Sequence, residues 1–64
     1  MAYRCFLLDD ASHFLGPAEI INAPDDGTAT AQAMNLCKGR KSCAVIELWC
    51  GDRLVARLKA SEDG

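Results

Sequence analysis

The stretch Cys43–Leu58, "CAVIELWCGDRLVARL", holds two runs of alternating side chains around a Gly-Asp pair. Such alternation marks strands with one buried face, and Gly-Asp between two of them marks a hairpin. Alternate side chains of a strand share a face. Ala44, Ile46 and Leu48 therefore fall on one face, and Val45, Glu47 and Trp49 on the other. In the second run, Leu54, Ala56 and Leu58 oppose Arg53, Val55, Arg57 and Lys59. A two-residue Gly51-Asp52 turn would set Leu48 against Val55 and Ile46 against Arg57, mixing the two sets. A three-residue loop, Cys50-Gly51-Asp52, pairs Leu48 with Leu54, Ile46 with Ala56 and Ala44 with Leu58. The alternation thus predicts the three-residue loop. In that register Trp49 lies opposite Arg53 and Val45 opposite Arg57, with Glu47 opposite Val55 and diagonal to both arginines.

Working outward from the hairpin, Tyr3–Leu8, "YRCFLL", reads as a first strand, and Asp9–Ser12, "DDAS", as a turn. "HFLGPAEIINA" resumes the chain, but Gly16-Pro17 interrupts it. Proline lacks the N–H of a central ladder, so this second strand is an edge or carries a bulge. "PDDGTATAQAMNLCKGRKS" is a helix with its punctuation. Asp25 or Asp26 accepts from the free N–H groups of the first turn. Ala29, Ala33, Leu36 and Cys37 form a narrow apolar stripe. Lys38, Arg40 and Lys41 suit the negative helix end, and Gly39 is a candidate left-handed cap.

The fold class is α+β, a ββαββ chain with a four-stranded antiparallel sheet and one helix packed on one face. The crossover from second to third strand sets the order 2-1-3-4. Residues 1–64 form one domain, ordered over about 3–60 with 61–64 as a flexible tail. The expected core is Ala33, Leu36, Cys37, Ala44, Ile46, Leu48, Leu54, Ala56 and Leu58. Tyr3, Cys5 and Leu7 of the first strand lean inward.

Composition narrows the function classes. Sixty-four residues, half of them apolar, form a folded domain that buries only about 60% of its unfolded surface. The net charge of −2 weighs against a dedicated nucleic-acid binder. That charge is unevenly placed. Residues 1–32 hold Arg4 against Asp9, Asp10, Glu19, Asp25 and Asp26. Residues 33–60 hold Lys38, Arg40, Lys41, Arg53, Arg57 and Lys59 against Glu47 and Asp52. No apolar run suits a membrane span, and "MAYRCFLLDD" does not read as a signal peptide. The expected location is cytoplasmic, where cysteines are thiols rather than disulfides.

Cys5, Cys37, Cys43 and Cys50 lie 32, 6 and 7 residues apart and lack a C-x-x-C pair, so no metal site and no cofactor are expected. A Cys37–Cys43 disulfide would close only a small loop. Cys37 reads as core filler, and Cys50 as the thiol most open to reaction. His13 is the only histidine and has no orienting partner that spacing picks out, so the chain is not read as an enzyme.

Three segments carry a resemblance: His13-Phe14, "AEIINAPDDGTATAQAMNL" (Ala18–Leu36) and "VIELWCGDRLVARL" (Val45–Leu58). Together they resemble a group of short, uncharacterised bacterial proteins common in alphaproteobacteria. Those proteins share the acidic pair opening an Ala-rich helix and the closing Trp hairpin. Gly16-Pro17, Cys43 and Cys50 depart from that pattern. The resemblance implies a recurring stand-alone mini-domain and brings no activity, cofactor or site residue.

The expected function is therefore a non-catalytic interaction module, self-associating as a homodimer through the outer sheet face or an edge strand. Val45, Glu47, Trp49, Arg53, Val55 and Arg57 are the candidate contact residues. Trp49 either lies over its own hairpin against Arg53 or anchors the contact. Phe6 and Leu8 on the same face would make it too apolar to stay wet. One alternative is a small regulator binding RNA or single-stranded DNA through the basic C-terminal half. Another is a thiol redox or metal responder.

Overall fold

Alanine decides how the helix meets the sheet. Ala29, Ala33 and Cys37 recur at helical spacing on α1 (Asp26–Lys38) and are fully buried, so the helix backbone approaches the strands closely. Beneath it lie β1 (Ala2–Leu8), β2 (Glu19–Asn22), β3 (Val45–Cys50) and β4 (Arg53–Lys59). They form one antiparallel sheet in the order β2-β1-β3-β4, the expected architecture and strand order. The computed structural model describes residues 1–59. The expected tail at 61–64, and the core limit at 60, lie outside the described residues. No helix among the described residues is long and apolar enough to cross a membrane.

The first strand faces as its parity leaned. Tyr3, Cys5 and Leu7 are buried toward the helix with Ile21, Ala23, Ile46 and Leu48. β2 is the short edge strand that Gly16-Pro17 implies. Before the interruption only a Leu8–Phe14 bridge holds the segment to β1. The Asp9–Ser12 turn forms as its chemistry requires, with Asp9 Oδ1 accepting from the N–H groups of Ala11 and His13, each at 2.9 Å. Asp25 is the helix N-cap and accepts from the Thr28 N–H at 2.7 Å.

Four expectations are corrected. The last hairpin turns through two residues, not three. Cys50 pairs with Arg53 and Trp49 with Leu54; the register then slips, and Leu48 pairs with Ala56, Glu47 with Arg57 and Ile46 with Leu58. Val55 is the extra residue of a β-bulge, the device that lets one strand shift parity partway along. Gly51 adopts φ +63°, while Asp52 keeps a negative φ, the pattern of the II′ hairpin turn.

Core membership changes with the register. Cys37, Ala33, Ile46 and Leu48 are buried, and Ala44 and Ala56 are half-buried, whereas Leu36, Leu54 and Leu58 are exposed. Gly39 leaves the helix at φ −80°, in right-handed geometry, and not as a left-handed cap.

The fourth correction concerns the thiols. Cys37 and Cys43 form a disulfide, leaving Cys5 buried and Cys50 half-buried as free cysteines. The turn after the helix makes it possible. The Arg40 N–H reaches the Cys37 carbonyl at 3.0 Å and the Cys43 N–H reaches the Arg40 carbonyl at 3.1 Å. The chain folds back until the two Cα atoms stand 5.3 Å apart, within bridging range. On chain-entropy grounds so small a loop stabilises by about 2 kcal/mol.

Two measurements test this description. Denatured protein should alkylate at two cysteines without reductant and at four with it; four without reductant would exclude the bridge. Gly51→Ala places a side chain at positive φ and should cost about 1–2 kcal/mol, read as a lower urea midpoint at unchanged slope.

Candidate interaction face

Side chains of directly paired residues point to the same side of a sheet, so the ladders map the face turned away from the helix. One row across it runs Ile20–Arg4–Trp49–Leu54. The next runs Phe6–Glu47–Arg57, and a third Phe14–Leu8–Val45–Lys59. The described residues contain a single helix, and it lies on the other face; on this one Leu8 is buried, with Phe14 bridged to it, and Phe6, Val45 and Trp49 are half-buried. Ile20 and Phe14 are each 62% exposed and Leu54 46%.

A polar knot sits at the centre. Arg57 Nε lies 3.0 Å from Glu47 Oε2, and Trp49 Nε1 donates to Glu47 Oε1 at 3.3 Å. The indole is thereby pinned beside the ion pair. Phe14 folds over Phe6 with ring centroids 5.4 Å apart. Arg4, Phe6, Phe14, Glu47, Trp49 and the Gly51-Asp52 turn line a shallow concavity of about 350 Å³. Arg4 makes no ion pair or side-chain hydrogen bond among the described residues.

Of the six candidate contact residues, Val45, Glu47, Trp49 and Arg57 lie together on this face. Arg53 and Val55 do not. Pairing with Cys50 turns Arg53 toward the helix, and the bulged Val55 packs against the core. Four residues that the hairpin alone could not indicate join instead: Arg4, Phe14, Ile20 and Leu54. The inward parity of Tyr3 and Cys5 was the available signal for Arg4. The register of the second strand, needed for Ile20, was not legible across Gly16-Pro17.

The relocated Arg53 closes a second polar group on the helix side. Its Nη1 lies 3.3 Å from Asp26 Oδ2, and the hydroxyl of buried Tyr3 donates to Asp26 Oδ1 at 2.7 Å. One carboxylate at the first helical residue thus joins the helix start to β1 and β4. The Tyr3 hydrogen bond first, and Arg53 second, hold the Asp26 carboxyl below its ordinary range. The same bond, with burial, pushes the Tyr3 phenol up to about 12. Asp25 is lowered by the Thr28 N–H it accepts, and Asp9 chiefly by the His13 N–H. Burial, with the Glu19 charge, pushes the Cys5 thiol up to about 11.

His13 is exposed, with Nδ1 3.7 Å from Asp9 Oδ2, and both belong to the turn. Among the described residues no three His, Cys, Asp or Glu side chains converge as metal ligands. No family model, curated protein or solved structure matches the chain.

Because the chain has one tyrosine, its titration reads the Asp26 bond directly. Phenolate absorbance should rise near pH 12, and in Asp26→Ala it should move down toward 10. A phenol with a raised value stabilises the fold below pH 10, a contribution lost as pH climbs through about 12. The lowered carboxylates stabilise it above their ordinary range, and that contribution is lost as pH falls through their folded values. A wild-type titration near pH 10 would refute the bond.

Proposed function

We propose that this protein is a non-catalytic interaction module that self-associates through the sheet face opposite its helix. The observation that carries the reading is the uncovered aromatic and aliphatic surface around the Glu47–Arg57 pair. Exposed leucine or isoleucine side chains scattered singly need no explanation. Here Ile20, Trp49 and Leu54 share a row that Arg4 completes, and Phe6 with Phe14 lies beside it. Tryptophan and arginine ringed by neutral contacts are the composition of interface hot spots.

An edge strand supports the reading less well. β4 is the longer free edge, but joining two β4 strands antiparallel about Ala56 sets Arg53 opposite Lys59. Like charges directly opposite destabilise a pair. At about 4.8 Å between strands and about 3.3 Å per residue, the face is on the order of 400 Å². That is small for a permanent dimer, so association in the micromolar range is expected. A cytoplasmic location is retained as an expectation, although the Cys37–Cys43 bridge argues for oxidising conditions.

The test is molar mass by light scattering across a wide concentration range. The wild type should pass from monomer to dimer, and Trp49→Ala should weaken dimerisation at least about 30-fold while keeping its circular dichroism. Unfolding of that variant would make Trp49 a core residue. A monomer at every concentration would refute self-association, and salt-dependent oligonucleotide binding by that monomer would put a nucleic acid in its place.

A further inference from the structure

Resting on that reading, we infer that the second copy docks about a two-fold axis parallel to the strands, between β1 and β3, so that Arg4 of each copy stacks on Trp49 of the other. The argument lies in the order of side chains across the face. An axis along the strands reverses the columns: β1 of one copy lies over β3 of the other, and β2 over β4. Each row then meets itself in reverse.

The row Ile20–Arg4–Trp49–Leu54 is complementary to its own reversal. Ile20 meets Leu54 of the second copy, apolar against apolar, and Arg4 meets Trp49, cation against indole face. The row Phe14–Leu8–Val45–Lys59 behaves alike. Its aromatic end meets the lysine, while Leu8, 4% exposed, is already covered within its own chain and leaves the half-buried Val45 as the aliphatic contact of that row. In the middle row Glu47 comes opposite Phe6, but its two carboxylate oxygens are already held by Trp49 and Arg57, so no charge is left unpaired there.

Arg4 is the residue this arrangement explains. It occupies the centre of an apolar row without a carboxylate partner among the described residues. On β1, an inner strand, it stands where the indole of a second copy would lie opposite it. An axis across the strands does worse. Centred on the first row it stacks Arg4 on Arg4; centred on the second it stacks Glu47 on Glu47 and Arg57 on Arg57. Like charges brought together and desolvated are what specific interfaces avoid. Sheets packed face to face keep their strands within about 30° of one another, so the parallel axis is a standard geometry.

Cross-linking distinguishes the axes. Ile20→Cys and Leu54→Cys are made separately in a Cys50→Ser background, both at exposed positions. A bismaleimide spanning about 10 Å, the separation of packed sheets, is added at concentrations where the wild type is dimeric. The mixture of the two variants should cross-link, and neither alone should. Arg4→Ala should weaken the dimer about tenfold and Arg4→Lys less.

Ile20→Cys linking to itself would overturn the axis while leaving the dimer standing. A dimer that links in no combination, with Arg4→Ala unchanged in affinity, would overturn the use of this row. A wild type that stays monomeric by light scattering would remove the underlying reading and this inference with it.

Discussion

Between Leu48 and Trp49 the ladder to β4 slips by one residue, and most of what the molecule presents to its surroundings follows from that slip. On the closed side of the bulge, Leu48 and Ile46 keep Ala56 and Leu58 as partners toward the helix. On the open side, Leu54 is turned out beside Trp49, and Arg53 is turned in. Without the extra Val55, a two-residue turn would drive Arg57 over the core, and a three-residue loop would turn Arg53 out and leave Asp26 without its guanidinium. The bulge costs one ladder position. In exchange the tight turn coexists with a consistent apolar face, and an arginine reaches the helix start.

The rest of the architecture economises in the same way. A chain this small has few large side chains to bury; Tyr3, Ile46 and Leu48 are the bulkiest of those fully enclosed. Cross-links between elements supply what volume does not. Tyr3 reaches Asp26, Arg53 reaches the same carboxylate, Arg40 donates to the Leu15 carbonyl at 2.8 Å, and Cys37 is bonded to Cys43. Each joins segments that the sheet ladders do not. Small folds are commonly stapled in this manner.

The order of elements, the sheet order and the inward side of the first strand were legible because periodicity and proline placement act locally. Ala29, Ala33 and Cys37 announced the helix face, and Gly16-Pro17 announced an edge. What was not legible arose where two local rules competed. Strict alternation forbade the tight turn that Gly51-Asp52 prefers, and the chain satisfied both with a bulge that no residue type marks. Arg53 and Val55 were therefore misplaced, while Val45, Glu47, Trp49 and Arg57, upstream of the slip or beyond it in register, fell together. The disulfide was missed for a different reason. Spacing alone cannot show that the turn after Gly39 bends back upon Cys37.

The sheet order also says something about how the chain reaches its final form. β1 lies in the middle of the sheet, yet it is the first element in sequence, and its two neighbours are β2, next along the chain, and β3, which follows the helix. Pairing with β2 is a local event, closing a short loop. Pairing with β3 joins Cys5 to Leu48, and only after the helix has been threaded over the sheet can that closure be completed. Loop-closure entropy must be met before such distant contacts give anything back. Tyr3, Cys5 and Leu7 lack their cover until the helix and the last third of the molecule arrive. The domain has no stable half, and its two hairpins fold as one cooperative unit or not at all.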